Sequence, residues 1–315
     1  MKRVSGQALT IVAALAAAFS VSGCDGASPT DPSLTAEYAR MPAGGYSYSV
    51  VGIPNATATQ IFRMNARGAM VGSYTQAGVT RGFLLWKGDL QTIEFPGAAH
   101  TYARGINERG DIVGFYSLAG IHGYVLTGDG FTTLDAPAAV GTRLWDINAR
   151  GEISGEYQAS PGEQWRGFTW REGEFTFLDV PGANMSAGYG INEAGEVVGH
   201  YTMPATGTKM FGFKLGKDGA FTHFNHPDSG TKMSCNQGIG VHGEAVGHYG
   251  VDGSSNVYGY LWAKGDYIAT LQVPGATQTF PLSITPSGLI AGYHWDATAN
   301  NWRGFVATPL NPAGR

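Results

Sequence analysis

The chain has 315 residues, of which 43% are hydrophobic and 14% are charged, and its formal net charge is −4. It is long enough to bury a sizeable core, and its charged residues form no run of one sign. Without Lys2 and Arg3, 18 basic and 24 acidic side chains remain, a net charge of −6. We expect no nucleic-acid partner, because a phosphate backbone requires a clustered basic surface.

The N-terminus has the features of an export signal. Lys2 and Arg3 precede an apolar run over residues 8–21, which is long enough for a secretory signal and short for a membrane span. The run ends in Val21-Ser22-Gly23-Cys24, which resembles the lipobox of bacterial lipoproteins. The resemblance implies that residues 1–23 are removed and that Cys24 is acylated. The alternative is an ordinary cleavable signal in which Cys24 occurs by chance.

Residues 24–45 are rich in Ala, Ser, Pro, Thr and Gly and have no hydrophobic period, which is typical of a flexible tether. We therefore expect a lipid anchor and tether that hold the rest of the chain at a membrane of the bacterial cell envelope, on the periplasmic or outer-surface side. An acylated Cys24 leaves Cys235 without a disulfide partner. The stability of the fold must then come from packing.

One unit of sequence recurs six times over residues 46–308. Each copy opens with a Pro, at Pro54, Pro96, Pro137, Pro181, Pro227 and Pro274. A turn glycine follows each Pro, and the turn glycines of successive copies are 41 to 48 residues apart. They are Gly68, Gly110, Gly151, Gly195, Gly243 and Gly288. A Gly-aromatic pair comes next, at Gly82-Phe83, Gly123-Tyr124, Gly167-Phe168, Gly212-Phe213, Gly259-Tyr260 and Gly304-Phe305. This period fits one blade of a β-propeller.

Each copy predicts four short strands. The first ends in Ile-Asn, as in residues 101–107, and Asn-x-x-Gly is typical of a type I turn into the second strand. The second alternates in polarity, as in residues 196–201, the third begins with the Gly-aromatic pair, and the fourth resembles residues 131–135. Helical periodicity is absent.

The two ends of the repeat region complement each other. The sixth copy ends after its third strand, and residues 46–54 form a fourth strand with no unit of its own. Pairing of these halves would close a ring and remove exposed edges. We therefore predict an all-β, six-bladed propeller of four strands per blade, closed by the N-terminal strand, with residues 309–315 as a tail. A linear solenoid is the alternative.

The segment Arg81 to Gly88, together with the Ile-Asn-x-x-Gly and Val-Gly-x-Tyr patterns, resembles the HAF family of extracellular repeats. The resemblance covers nearly all of residues 46–308. It implies an exported repeat protein, and it provides no catalytic residues.

The strand order predicts two different faces. The Pro-Gly crossovers and the loops between second and third strands share one face, and these loops vary in length, which is typical of a binding surface. A hydroxyl lies six residues before each turn, at Thr59, Thr101, Thr142, Ser186, Ser234 and Thr279. These hydroxyls could form a polar collar for water, an ion or a sugar. We favour the alternative that each one bonds the backbone of its own crossover.

Two further sets of side chains are candidates for ligand binding. Glu156, His200 and His248 occupy matching positions at the end of the second strand, and His294 lies one residue further along. Such residues can bind zinc or another transition metal, but we favour packed or solvated positions over a metal site. Arg81, Arg166 and Arg303 precede the Gly-aromatic pair and could recognise carboxylates, although packing at blade edges is the favoured interpretation.

Function is left open between two classes. The leading hypothesis is a lipid-anchored propeller that binds a protein or a glycan on the variable-loop face. The alternative is an envelope enzyme, a lyase or hydrolase, with a site at the channel mouth, and a structural spacer is a third possibility. No nucleophile elbow, phosphate loop or cofactor motif occurs. An enzyme should concentrate non-repeating polar residues at one mouth, and the sequence shows more of the repeated pattern.

Overall fold

The computed structural model describes residues 38–40, 45–207, 209–230 and 232–310. The predicted signal peptide, Cys24, most of the predicted tether and residues 311–315 lie outside the described residues. In the described parts, the regular elements are β-strands and two short 3-10 turns, Pro204–Thr206 and Pro227–Ser229. None of the described residues forms a helix that is long and apolar enough to cross a membrane.

Two strands precede the first repeat. β1 (Tyr38–Arg40) pairs antiparallel with β2 (Tyr46–Val51), so part of the predicted tether is a short strand. The first repeat then forms an antiparallel unit in chain order, from β3 (Ala58–Met64) through β4 (Met70–Gln76) and β5 (Val79–Trp86) to β6 (Asp89–Ile93).

The next four repeats fold in the same way. The second unit is β7 (His100–Ile106), β8 (Ile112–Ser117), β9 (Ile121–Thr127) and β10 (Gly130–Thr133). The third is β11 (Gly141–Ile147), β12 (Ile153–Gln158), β13 (Arg166–Arg171) and β14 (Glu174–Phe177). The fourth is β15 (Met185–Ile191), β16 (Val197–Thr202), β17 (Met210–Leu215) and β18 (Phe221–Phe224). The fifth is β19 (Ser234–Ile239), β20 (Ala245–Gly250), β21 (Val257–Ala263) and β22 (Asp266–Leu271).

The last unit combines the two ends of the repeat region. β23 (Thr279–Ile284), β24 (Ile290–Asp296) and β25 (Asn301–Pro309) pair in order, and β2 pairs antiparallel with β25. The N-terminal strand therefore takes the place that the fourth strand takes in the other units. The fully buried Tyr48 of β2 packs against Phe305 of β25, with 5.6 Å between the ring centroids.

The Gly-aromatic repeat forms the inside of each unit. Its aromatic side chain is fully buried in all six copies, at Phe83, Tyr124, Phe168, Phe213, Tyr260 and Phe305. The second-strand glycine of Val-Gly-x-Tyr leaves room for this ring, because a Cβ added at Gly72 would lie 2.7 Å from the Phe83 ring. A Cβ at Gly199 would likewise lie 2.9 Å from Phe213. The two motifs are therefore two sides of one packing contact.

The repeated Asn has a second role besides its turn. Its side-chain amide donates a hydrogen bond to the turn backbone of the following unit, from Asn65 to the Asn107 carbonyl at 3.1 Å and from Asn107 to the Asn148 carbonyl at 3.2 Å. The series continues from Asn148 to the Asn192 carbonyl at 3.0 Å and from Asn192 to the Gly240 carbonyl at 3.1 Å. The turns of neighbouring units are thus tied together.

The prediction that crossovers and second-to-third strand loops share one face is confirmed. Crossover backbone N–H groups bond to the ends of the second strands, as in Thr57 to the Thr75 carbonyl at 2.8 Å and Ala99 to the Ser117 carbonyl at 2.9 Å. The Asn-x-x-Gly turns lie at the opposite ends of these strands. We call the two sides of the molecule the crossover side and the turn side.

Candidate functional site

A β-bulge occurs at the same position in the first strand of every unit. The pairing with the second strand skips one residue in each copy, at Phe62, Arg104, Trp145, Tyr189, Gln237 and Leu282, which we call the bulge layer. A bulge re-aims the side chain that it leaves unpaired. The bulge layer is composed of large side chains, and no two neighbouring units carry the same residue.

On the turn side of the bulge, the first strands approach one another closely. The residues that follow the bulge are Arg63, Gly105, Asp146, Gly190, Gly238 and Ser283, which we call the turn-side layer. A Cβ added at Gly238 would lie 2.4 Å from the Leu282 carbonyl oxygen, and one at Gly105 would lie 2.8 Å from the Asp146 Cα. The glycines are therefore required for this close approach.

Arg63 joins the first strands of five units. Its Nε lies 2.9 Å from the Asp146 carboxylate. Nη2 donates to the carbonyls of Tyr189 at 2.6 Å and Gln237 at 2.8 Å, and Nη1 donates to the Leu282 carbonyl. The buried guanidinium is thus held by one carboxylate and a set of backbone acceptors, which fixes the first strands around it.

On the crossover side of the bulge, pairs of opposed residues from the first and second strands form a third layer. These pairs are Gln60 with Ser73, Tyr102 with Phe115, Arg143 with Glu156, Ala187 with His200, Cys235 with His248, and Phe280 with Tyr293. We call this set the crossover-side layer. Its members differ from unit to unit, in contrast to the repeated residues of the core.

Aromatic rings of the bulge and crossover-side layers contact one another from unit to unit. Phe115 lies 5.7 Å from Trp145, Trp145 lies 4.8 Å from Tyr189, and Tyr189 lies 5.1 Å from His200, measured between ring centroids. On the other side, the chain of contacts runs from His248 through Phe280 and Tyr293 to Phe62, at 4.7, 4.9 and 6.3 Å. We call these eight residues the aromatic belt.

Arg104 connects the two halves of the aromatic belt. Its guanidinium carbon lies 3.7 Å from the ring centroid of Phe62 and 4.2 Å from that of Trp145. Arg143 is placed similarly, 4.0 Å from the ring centroid of Trp165, and its Nη1 donates to Glu156 at 2.9 Å. Both cations therefore lie against aromatic rings, which is a favourable cation–π arrangement.

Three of the residues predicted from the second strand belong to this site. His200 and His248 are buried members of the aromatic belt, and Glu156 is buried in the unit that precedes them. Neither histidine Nδ1 has a hydrogen-bond partner. Burial lowers the pKa of His200 to about 4, and burial together with the neighbouring His200 lowers the pKa of His248 to about 3. Burial also raises the pKa of Glu156, although Arg143 and Arg104 oppose this shift. Among the described residues, no group of three or more His, Cys, Asp or Glu side chains could hold a metal ion.

The predicted collar of hydroxyls has a structural role. Each hydroxyl accepts a hydrogen bond from a backbone N–H, as in Ile53 to Thr59 at 3.0 Å, Ala136 to Thr142 at 3.0 Å and Val273 to Thr279 at 3.2 Å. Thr101 and Ser234 accept in the same way, whereas Ser186 accepts from the Gly167 N–H of β13 and donates to the Leu178 carbonyl next to its crossover at 3.2 Å. All six are buried, so the favoured interpretation, that they hold the crossovers, is confirmed.

The remaining candidates lie away from the aromatic belt. His294 lines a pocket of about 190 Å³, together with Tyr48 and Asp296. Arg303 pairs with Asp296 at 3.2 Å, Arg81 pairs with Glu94, and Arg166 is exposed. The structure therefore does not bring these arginines and His294 together with Glu156, His200 and His248.

Several residues of the site were missed by the sequence analysis, above all Arg104, Arg143, Tyr189 and Tyr293. The sequence shows more polar residues that follow the repeat, whereas in this region Arg104, Arg143 and Glu156 each occur at their position in one unit only. A usable signal was present, since the three residues before each Ile-Asn or equivalent turn vary in size and charge while their neighbours repeat.

These features define the class of protein. No family model matches the chain, and no curated protein matches it. Among solved structures, the chain is similar to the β-propeller domain of the Trilobed protease from Pyrococcus furiosus, which has an open velcro topology. That domain is 12% identical, the match covers 90% of this chain and 95% of that chain, and the TM-score is 0.51. A gluconolactonase from Xanthomonas campestris is 13% identical over 88% of this chain and 94% of that chain, with a TM-score of 0.51.

At such low identity, these similarities show the fold alone. The chain is an all-β protein with the β-propeller fold.

Proposed function

We propose that the chain is a closed six-bladed propeller, in which each four-strand unit is one blade. The pairing of β2 with β25 supports closure, and so do contacts that run between neighbouring first strands and return from β23 to β3. Arg63 adds bonds from the first blade to the third, fourth, fifth and sixth. The three layers then surround the axis of the ring, with the turn-side layer closing one end.

We further propose that this propeller binds a glycan at the crossover-side mouth of its axis. The aromatic belt carries the proposal. Tyr102, Phe115, Phe280 and Tyr293 are partly exposed, as are the adjacent Trp165 and Trp302. Flat rings with polar neighbours can stack on sugar rings while Arg143, Glu156 and Gln60 bond to hydroxyls. A predicted lipid anchor at Cys24 would place this mouth at the surface of an envelope membrane, where glycans are abundant.

Trp302 provides a direct test. It lies 5.3 Å from Tyr293 and 5.7 Å from Phe280, at the crossover side. The exposed Trp86 ends the third strand of the first blade, on the turn side, and serves as a matched control. We expect Trp302→Ala to weaken binding of envelope oligosaccharides at least tenfold in calorimetric titrations of the full-length chain. Trp86→Ala should leave binding unchanged, and equal losses in both variants would contradict a mouth site.

A second function is favoured by one observation. Glu156, His200 and His248 occupy matching buried positions in three successive units, where burial raises the pKa of the carboxyl and lowers the pKa of both imidazoles. A carboxyl with a raised pKa is suited to act as a general acid in a hydrolase or lyase, whereas imidazoles with such low pKa values stay neutral and are weak bases. We expect a catalytic propeller to shorten the oligosaccharide that it binds, which size-exclusion chromatography would reveal. Glu156→Gln should stop this reaction, and intact oligosaccharide after long incubation with the wild type would support binding alone.

A further inference from the structure

Arg104 differs from the other arginines of the axis in its partners. Arg63 lies 2.9 Å from the Asp146 carboxylate, and Arg143 lies 2.9 Å from that of Glu156. Arg104 has no carboxylate within 4.0 Å among the described residues. Its Nε is buried and has no hydrogen-bond partner, which is also true of the Arg143 Nε, so the lack of a carboxylate is what sets Arg104 apart. Its guanidinium is held by the rings of Phe62 and Trp145 instead.

The charges around the axis do not balance. The three layers contain three arginines, Arg63, Arg104 and Arg143, and two carboxylates, Asp146 and Glu156. Burial lowers the pKa of Arg104 to about 9, which leaves it protonated at neutral pH. Both belt histidines are neutral there, because burial holds their pKa values near the acid range. With Asp146 and Glu156 both ionised, the axis carries one unmatched positive charge, and protonation of either carboxyl, whose pKa burial raises, would add to this excess; the formal net charge of the chain is −4.

An unmatched cation in a partly desolvated site is costly unless an anion joins it. The two rings leave the edge of the Arg104 guanidinium as the direction from which a ligand can bond to it. A planar guanidinium edge fits the two oxygens of a carboxylate, and one excess charge matches a monoanion. The partly exposed rings of Phe115, Phe280 and Tyr293 would pack on the apolar face of a sugar that carries such a carboxylate.

We propose that the glycan bound at the axis is acidic, and that Arg104 recognises the carboxylate of a uronic acid residue. This inference rests on the proposed glycan-binding function and specifies its substrate class. Tyr189 and Tyr293 lie close enough to Arg104 for their hydroxyls to act electrostatically on it, and they can bond to the same carboxylate or to a neighbouring sugar hydroxyl.

The test compares matched ligands on the full-length chain in mild detergent. The probes are three tetrasaccharides, which contain galacturonate, glucuronate or mannuronate. Each is used as the free acid and as the methyl ester of its carboxyl groups. The variants are Arg104→Met and, as a control, Arg67→Met on the exposed first turn. We expect at least one free acid to bind at least tenfold more tightly than its methyl ester. This preference should disappear in Arg104→Met and persist in Arg67→Met.

The outcomes separate this inference from the proposed function. Equal binding of acid and ester forms by the wild type would overturn the recognition of a carboxylate while leaving glycan binding in place. Binding of no tetrasaccharide would overturn both. A sulfated tetrasaccharide without carboxyl groups is the last probe, and its binding more tightly than every uronate would overturn the carboxylate assignment. Because the acid-to-ester ratio is measured on the wild type, a variant that fails to fold does not remove the test.

Discussion

Arg63 and Arg104 lie in neighbouring layers of the same axis, and the protein accommodates their charges in opposite ways. Arg63 bonds to the Asp146 carboxylate and to backbone carbonyls of the fourth, fifth and sixth units. Arg104 is placed between two aromatic rings and has no carboxylate within 4.0 Å among the described residues. The first arrangement satisfies the cation within the fold, whereas the second leaves part of it for another molecule.

The difference separates residues that stabilise the packing of the units from residues that we propose to bind a ligand. A cation whose partners all belong to the protein is held in the native state by them, and its removal leaves those buried partners without a bonding group, which lowers the free energy of unfolding. A cation without such partners costs the fold free energy, and its retention calls for a functional reason. The comparison therefore predicts large stability effects on the turn side and small ones at Arg104.

The largest effect is expected from Arg63→Met. The variant leaves the Asp146 carboxylate and three carbonyls buried without their donor, which should lower the free energy of unfolding by about 3–5 kcal/mol. Urea unfolding followed by tryptophan fluorescence measures this change. Arg67→Met, on an exposed turn, is the control and should shift stability by less than about 0.5 kcal/mol. A loss below about 1 kcal/mol in Arg63→Met would show that Arg63 does not tie the units together.

The belt histidines should make the protein sensitive to acid. Burial lowers the pKa of His200 to about 4 and, with help from His200, that of His248 to about 3, whereas an unfolded histidine has a pKa near 6.5. The unfolded chain binds protons first, so this stabilisation is complete above about pH 6.5 and declines as the pH falls towards 4 and 3. The free energy of unfolding should fall by about 1.6 kcal/mol for each histidine between pH 6.5 and pH 5, or by about 3 kcal/mol for both.

The double variant His200→Gln/His248→Gln isolates this contribution. Its unfolding free energy should change by about 3 kcal/mol less than that of the wild type between pH 6.5 and pH 5. Burial raises the pKa values of Asp146 and Glu156, so their contribution has the opposite sign and grows as the pH falls through the raised values. Both carboxyls remain in the double variant and cancel in the difference. Parallel pH curves for wild type and variant would contradict the buried, neutral state of the two histidines.

Close approach of the first strands on the turn side can be tested with a single methyl group. A Cβ at Gly238 would lie 2.4 Å from the Leu282 carbonyl oxygen, so Gly238→Ala should force the strands apart and cost about 1–3 kcal/mol. Gly128→Ala is the control, because nothing lies within 4 Å of a Cβ there. Thermal unfolding of both variants measures the difference. If Gly238→Ala is as stable as the control, the turn-side layer is looser than described.

The repeat in the sequence predicted the four-strand units, and the reason is physical. Residues equivalent to Gly72 and Phe83 recur in every unit because each unit packs an aromatic ring into the space that a glycine leaves. The same packing contact therefore produces the same residues at the same period. The pairing of β2 with the last unit was also predictable, since residues 46–54 had the pattern of a fourth strand and belonged to no unit of their own. The hydrogen bond from Asn65 to the following unit was not predictable, because an Asn in a turn has the same sequence pattern whether or not its amide bonds to a neighbouring unit.

The site was less predictable because the bulge breaks the alternation of the first strand. Counting back from the turn identified Thr101, whose hydroxyl holds a crossover, and passed over Arg104, which the bulge re-aims into the axis. A search for repeated positions also discards what is specific to one blade. Glu156, His200 and His248 were found only because they follow the repeated second-strand Gly.

The smallest stability effect is expected at Arg104 itself, and it is the sharpest test of the comparison. Arg104→Met removes a partly desolvated cation that has no carboxylate partner and leaves a flexible apolar side chain between Phe62 and Trp145. The lost cation–π energy, about 1–2 kcal/mol, is opposed by relief of the desolvation cost, so unfolding free energy should change by less than about 1 kcal/mol. Urea unfolding beside Arg63→Met gives the contrast directly. A loss as large as that of Arg63→Met would make both arginines structural, and the excess charge of the axis would then belong to the fold.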